Sequence, residues 1–311
     1  MSVSTQLYAT SSIYRLQKAG ELIGNTPLFP ISKVFHKPGV QIFAKLEWQQ
    51  LGGSIKSRPA FGIIADAVRN GQLYRGKHLL DATSGNTGIA YAAIAKMLGI
   101  EVTLCLPENA SQERKRILID HGVNLVYTSR FESTDGAQQV AKELAAKYTD
   151  KYFYADQYSN QQNWLAHFHT TAPEIWQQTK HQVTHFVAGL GTTGTFTGTG
   201  RKLKELNPAI RLIGLQPDNP MHGLEGWKHL ETARVPAIFD TTLADEYREI
   251  DTLEAYDMIT LVARTEGLLI SPSAAANLIG AIQVANSIDS GVVVTTFADN
   301  ADKYKEIMVN G

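Results

Sequence analysis

The sequence predicts an α/β protein built on mostly parallel sheets covered by helices on both faces. Strand-like and helix-like segments alternate almost throughout the chain. With 311 residues there is room for two domains or one large α/β unit. Apolar residues make up 43% and charged residues 19%, enough to build a sizeable core. No internal repeat or low-complexity linker interrupts the pattern.

The elements follow in order. "VQIFAKLE" (40–47) reads as a strand. From Arg58 on, Ala60, Ile63, Ile64, Ala67 and Val68 share one helical face, with Pro59 in the first turn and Gly71 as the stop. "KHLLDAT" (77–83) is a strand and "NTGIAYAAIAKMLG" (86–99) a helix ending at Gly99. "EVTLCLP" is a strand, followed by a helix from Ser111 to about His121 and a stop at Gly122. "VNLVYT" is a strand, and Ala137, Val140, Ala141, Leu144 and Ala145 line the next helix. "VTHFVAGL", "IRLIGLQP" and "GVVVTTFA" resume the strands.

Ligands of such sheets gather at the carboxyl ends of strands, so the loops after strands matter most. In "LGGSIKSRPA" (51–60), Lys56 sits between a glycine pair and Pro59, just before a helix. A surface lysine needs no such framing. A buried amine can lose its proton and form a Schiff base with an aldehyde. "TSGNTG" (83–88) offers hydroxyls, an amide and free N–H groups at a helix start; it reads either as a carboxylate or phosphate site or as an ordinary cap. "GLGTTGTFTG" (189–198) matches neither G-x-x-x-x-G-K-[ST] nor a clean G-x-G-x-x-G. It reads as a generic phosphate cup or as a plain glycine-rich turn. The three together suit an aldehyde cofactor with a phosphate handle, pyridoxal phosphate.

Other features exclude function classes. The formal net charge is -1, without a long basic run, which argues against nucleic acid. The start of the chain lacks a signal pattern, and no apolar run is long enough to span a bilayer. The one cysteine, Cys105, lies in an apolar strand and reads as a buried small hydrophobe in a reducing cytoplasm. His167 and His169 lack i, i+4 spacing and a third ligand, so no metal is expected. "QERKR" (112–116) reads as a solvated helix face, and Trp48, Trp164, Trp176 and Trp227 as packing residues, Trp227 at a site entrance.

With these motifs in view, the chain resembles the fold-type II pyridoxal-phosphate enzymes, and within them the cysteine synthases, closest to the B type. The resemblance rests on "IGNTPL" (23–28), "KLEWQQLGGSIKSRPA" (45–60), "TSGNTG", "THFVAGLGTTGT", "GTTGTFTG" (191–198) and "TTAPEIWQQT" (170–179), and runs from about Ile23 to about Tyr304. It implies two three-layer αβα domains with the cofactor in the cleft between them. The expected division is an N-terminal domain over 37–146, with a mobile loop 83–88, and a C-terminal domain of 1–36 and 147–311. It implies a transferase that makes L-cysteine from O-acetyl-L-serine and sulfide through an α-aminoacrylate. It also implies a cytoplasmic homodimer, and leaves docking of a serine acetyltransferase open. Related activities share that intermediate: serine or threonine dehydratase, cystathionine β-synthase-like and diaminopropionate-forming enzymes. A non-catalytic regulatory homologue is the remote alternative, against which Lys56 and Asn86 speak.

The resemblance also implies residue roles. Lys56 matches the Schiff-base lysine and Asn86 the partner of the cofactor's ring hydroxyl. Thr83, Ser84, Gly85, Asn86, Thr87 and Gln157 match the substrate-carboxylate site. Gly191, Thr192, Thr193, Gly194 and Thr195 match the phosphate cup. Ser273 matches the serine facing the pyridine nitrogen, with Ser271 as its rival. Ser57 stands where many relatives have Asp. Glu225 and Gly226 stand where the B type has arginines, which argues against anionic sulfur donors.

Overall fold

The computed structural model describes residues 3–304. Along the chain run α1 (Val3–Gly20), β1 (Leu28–Ile31), β2 (Val40–Leu46), α2 (Ser57–Arg69), β3 (His78–Ala82), α3 (Asn86–Leu98), β4 (Val102–Pro107), α4 (Gln112–Asp120), β5 (Asn124–Thr128), α5 (Ser133–Lys147) and β6 (Tyr152–Tyr154). Then follow α6 (Gln162–His169), α7 (Thr171–Gln178), β7 (His185–Gly189), α8 (Gly194–Leu206), β8 (Arg211–Pro217), β9 (Glu246–Ile250), α9 (Thr252–Thr265), α10 (Pro272–Asn286) and β10 (Gly291–Phe297). The helix stops are those the glycines dictate: Gly99 caps α3 at φ +68° and Gly122 follows α4 at φ +78°.

The chain folds as two compact units, Met1–Gly24 with Gln50–Gln162, and Asn25–Gln49 with Asn163–Gly311. This corrects the expected division at three places. Residues 3–24 belong with the first unit, because Leu16 and Ala19 of α1 are buried in the core that α2 and α3 build. Residues 37–49 belong with the second, because β2 pairs with β10 in parallel from Val40 to Leu46. Residues 147–162 stay with the first, because β6 pairs with β3. The parts of the expected second domain at 1–2 and 305–311 lie outside the described residues.

The first unit holds a parallel sheet in the order β5-β4-β3-β6. Apolar faces cover it on both sides: Leu79, Ile89, Ile94 and Leu104 in one cluster, Leu80, Ala82, Ala137 and Ala141 in another. The second unit holds a sheet in the order β1-β2-β10-β7-β8-β9, parallel except for the antiparallel β1–β2 pair. Its faces pack Val187, Ile213, Leu278 and Val293 on one side and Phe186, Phe196, Leu212 and Val294 on the other. In each sheet the order reverses once. From β3 the chain steps outward to β4 and β5, then returns to add β6 on the other side of β3. From β7 it steps to β8 and β9, then returns to add β10 on the other side of β7. Loops diverge at such reversals and leave a crevice at the carboxyl ends of the strands. No described helix is long and apolar enough to cross a membrane.

Candidate active site

The residues singled out by the sequence divide between the two units. In the first unit, Gly52 and Gly53 both adopt left-handed backbone, φ +85° and +63°. A Cβ at Gly52 would stand 2.8 Å from Ser57 Oγ and 3.2 Å from Ala90 Cα, so only glycine admits this turn. The turn delivers Lys56 as the N-cap of α2, half-buried, while Ser54, Ile55, Ser57 and Arg58 on either side are buried. The framing is therefore structural, and it presents one amine from an otherwise buried segment.

The 83–88 loop leaves β3 at the reversal, and Asn86 begins α3 behind Gly85. Thr83 and Thr87 are buried; Ser84, Gly85 and Asn86 are half-buried. The Gly85 N–H donates to Thr83 Oγ1 (3.2 Å). Gln157, on the loop after β6, closes the crevice from the other strand. Its Nε2 donates to Ala82 O (3.3 Å), and its Oε1 accepts from Thr87 Oγ1 (2.8 Å). The N-terminus of α3, with the side chains of Thr83, Ser84 and Asn86 beside it, forms a surface suited to a carboxylate, and the bonds of Gly85, Thr87 and Gln157 hold it in shape. All six predicted carboxylate-site residues are thus brought to one edge.

In the second unit, the loop after β7 turns at Thr193, whose φ of +67° is left-handed although the residue is not glycine. Thr193 Oγ1 is buried and has no hydrogen-bond partner among the described residues. A Cβ at Gly191 would collide with the Gly226 carbonyl oxygen, and one at Gly194 with Asn163 Oδ1. The backbone is pressed close at the N-terminus of α8, beside a buried hydroxyl without a partner among the described residues. These features fit a bound phosphate group. Thr195 Oγ1 meets His167 Nε2 (3.2 Å), whose Nδ1 meets Thr171 Oγ1 (2.8 Å). At the other side of the reversal, Ser271 caps α10 by accepting from the Ala274 N–H (3.2 Å) and contacts Ser273 Oγ (3.2 Å). Both serines are buried. The cap occupies Ser271, which leaves Ser273 the freer hydroxyl of the two.

Several residues are placed differently from their sequence reading, or were missed by it. "QERKR" is not a wholly solvated face: Arg114 and Lys115 are buried. Lys115 Nζ donates to Glu108 O, and Arg114 Nη1 lies 3.6 Å from where a Gly85 Cβ would stand. An arginine inside a charged run gives no sequence signal of such a position. Asp81 was missed too, although a carboxylate inside the apolar strand "HLLDA" was a legible anomaly. Trp227 packs against Gly189, where the cup loop begins. Cys105 is fully buried in β4, and burial pushes its thiol up to about 12.

Two α/β sheets whose order reversals carry a helix N-terminus and a glycine-rich turn, with one lysine framed by a second glycine turn, are what an α/β enzyme with a phosphate-bearing aldehyde cofactor presents. The chain belongs to the pyridoxal-phosphate dependent enzyme family, whose model matches residues 20–299. It is 46% identical over 291 residues to a cysteine synthase of Aquifex aeolicus, covering 91% of this chain and 89% of the relative. It is 36% identical over 293 residues to cysteine synthase B of Escherichia coli, covering 94% and 95%. The crystal structure of a cysteine synthase from Entamoeba histolytica superposes with a TM-score of 0.88 at 30% identity, covering 93% of this chain and 89% of that one.

Proposed function

We propose that this chain makes L-cysteine and acetate from O-acetyl-L-serine and sulfide, with pyridoxal 5'-phosphate as its cofactor. The observation that carries the reading is the Gly191–Thr195 turn, with its left-handed threonine, unpartnered buried hydroxyl and glycines that admit no Cβ. Gly191, Thr192, Thr193, Gly194 and Thr195 would hold the phosphate, Lys56 the aldehyde, Asn86 the ring hydroxyl and Ser273 the pyridine nitrogen. When bound, the cofactor supplies an electron sink that acidifies the substrate's α-carbon and lets acetate leave the β-carbon. Thr83, Ser84, Gly85, Asn86, Thr87 and Gln157 grip the substrate carboxylate and so orient the α-C–H. Lys56 Nζ takes the α-proton and returns it to the same carbon after sulfide has added at the β-carbon. A neutral hydroxyl at Ser273 leaves the ring nitrogen unprotonated, which restrains the sink and favours β-replacement over transamination.

The test is direct. Purified protein is expected to be yellow, to carry a borohydride-trapped label on Lys56 in peptide maps, and to form cysteine and acetate in equal amounts. A protein that stays colourless with added cofactor, or that yields no cysteine, overturns the reading. Homocysteine is the informative competitor for sulfide, because an O-acetylserine dependent cystathionine beta-synthase of Helicobacter pylori superposes with a TM-score of 0.87 at 32% identity, covering 93% of this chain and 96% of that one. A cytoplasmic homodimer belongs to the same proposal, with light scattering as the test of the dimer.

A further inference from the structure

Asp81 is a carboxyl buried to 1% exposure, and no step above uses it. It sits at the end of β3, two residues before the carboxylate loop. Its Oδ1 accepts from the Ala82 N–H (2.8 Å). Its Oδ2 accepts from the Tyr91 O–H (3.0 Å) and the Gln157 N–H (3.4 Å). Tyr91 lies one turn beyond Thr87 on α3, and Thr87 holds the Gln157 side chain. The contacts close a ring: Asp81 to Gln157, Gln157 to Thr87, one turn of α3 to Tyr91, and Tyr91 back to Asp81. The ring ties the strand end, the helix start and the loop after β6, the three pieces that form the carboxylate crevice.

We propose that Asp81 is a positioning residue for the substrate-carboxylate site, that Tyr91 maintains it as an acceptor, and that adding a proton to it releases Gln157 and weakens the hold on the amino-acid substrate. The inference rests on the carboxylate role proposed above for residues 83–88 and Gln157. The chemistry is one of valence. An ionised Asp81 accepts all three bonds. Once Oδ2 carries a proton, Tyr91 can rotate its hydroxyl and accept it, but the Gln157 N–H cannot reverse and keeps only the poorer acceptor of a neutral hydroxyl oxygen, so its 3.4 Å bond is the one that gives way. The transition falls in a useful range, because burial drives the Asp81 carboxyl up to about 7. Asp156 on the loop after β6 raises it further, while the Ala82, Tyr91 and Gln157 donors pull it down. The other titratable groups facing it are Tyr158, just beyond β6, and Cys105 on β4, while Tyr154 on β6 acts on Tyr91. Burial raises Tyr158 and Cys105, and Tyr91 itself is raised well above the ordinary tyrosine range, so none of these three ionises near neutrality.

The experiment compares wild-type holoenzyme with Asp81→Asn and Tyr91→Phe. KM for O-acetyl-L-serine and kcat are measured from pH 6 to 9, and the Gln157 amide is followed in nitrogen-15 spectra without substrate. In wild type, KM is expected to rise about five- to tenfold as pH falls through neutrality, about the value of one lost hydrogen bond, while kcat changes less. The Gln157 amide is expected to titrate over the same range. In Asp81→Asn, which cannot accept all three bonds, KM is raised at every pH and the amide does not titrate. In Tyr91→Phe, loss of a donor to the carboxylate moves both midpoints to higher pH. An Asp81→Asn enzyme that keeps the wild-type KM profile, or a Gln157 amide with no midpoint in wild type, overturns the proposal. If wild type forms no cysteine, the function proposed above fails instead, and the amide titration still decides whether Asp81 governs this loop.

Discussion

Burying Asp81 carries a stability consequence that can be worked out in sign and size. Its folded-state carboxyl stands at about 7, against an ordinary value of 3.8. A raised acid is most favourable to the fold below its unfolded value, where both states are protonated. As pH climbs the unfolded chain releases the proton first, and stability drains until the folded carboxyl has ionised near 7. Between pH 5 and 8 about two pH units lie below the folded midpoint, so the loss is about 3 kcal/mol at 1.36 kcal/mol per unit. Asp81→Asn has no proton to release. The urea midpoint of the variant, measured against wild type at each pH, is therefore expected to improve steadily from pH 5 to 7 and level off above it. With a slope of about 3 kcal/mol per molar, the relative gain approaches about 1 M. Taking the difference between variant and wild type cancels the other carboxylates. A difference that stays flat over this range would refute the claim that Asp81 is forced to ionise inside the fold.

Gly191→Ala places a methyl against the Gly226 backbone carbonyl, which cannot swing aside as a side chain can; cofactor affinity is expected to fall at least tenfold, read by absorbance titration of the apoprotein. Gly194→Ala collides mainly with the Asn163 side chain, the Asn163 backbone carbon standing off at 3.3 Å, and is expected to lose less in the same titration. Glu225 is half-buried beside Gly226, whose carbonyl closes on Gly191; Glu225→Arg is expected to raise the use of thiosulfate relative to sulfide severalfold, an effect that shrinks with added salt. Cys105 is expected to resist thiol reagents at pH 8 in native protein and to react fully in denaturant, since its thiol is both buried and held protonated.

The chain's own residues determined the alternation of elements and the three loops that matter. Glycine at 99 and 122 stopped helices where it stands, and apolar runs marked β3, β4, β7, β8 and β10 before any fold was known. Strands β1 and β6 were not legible: one contains Pro30 and the other has three residues, too few to show a period. Domain membership was not legible either. A hairpin's home depends on which strand it pairs with, and β2 chose β10, some 250 positions away. The same holds for Asp81 and Arg114. Local pattern records which face of an element is apolar, but only packing decides which polar group is carried inside, what accepts its hydrogen bonds and hence where its proton binds.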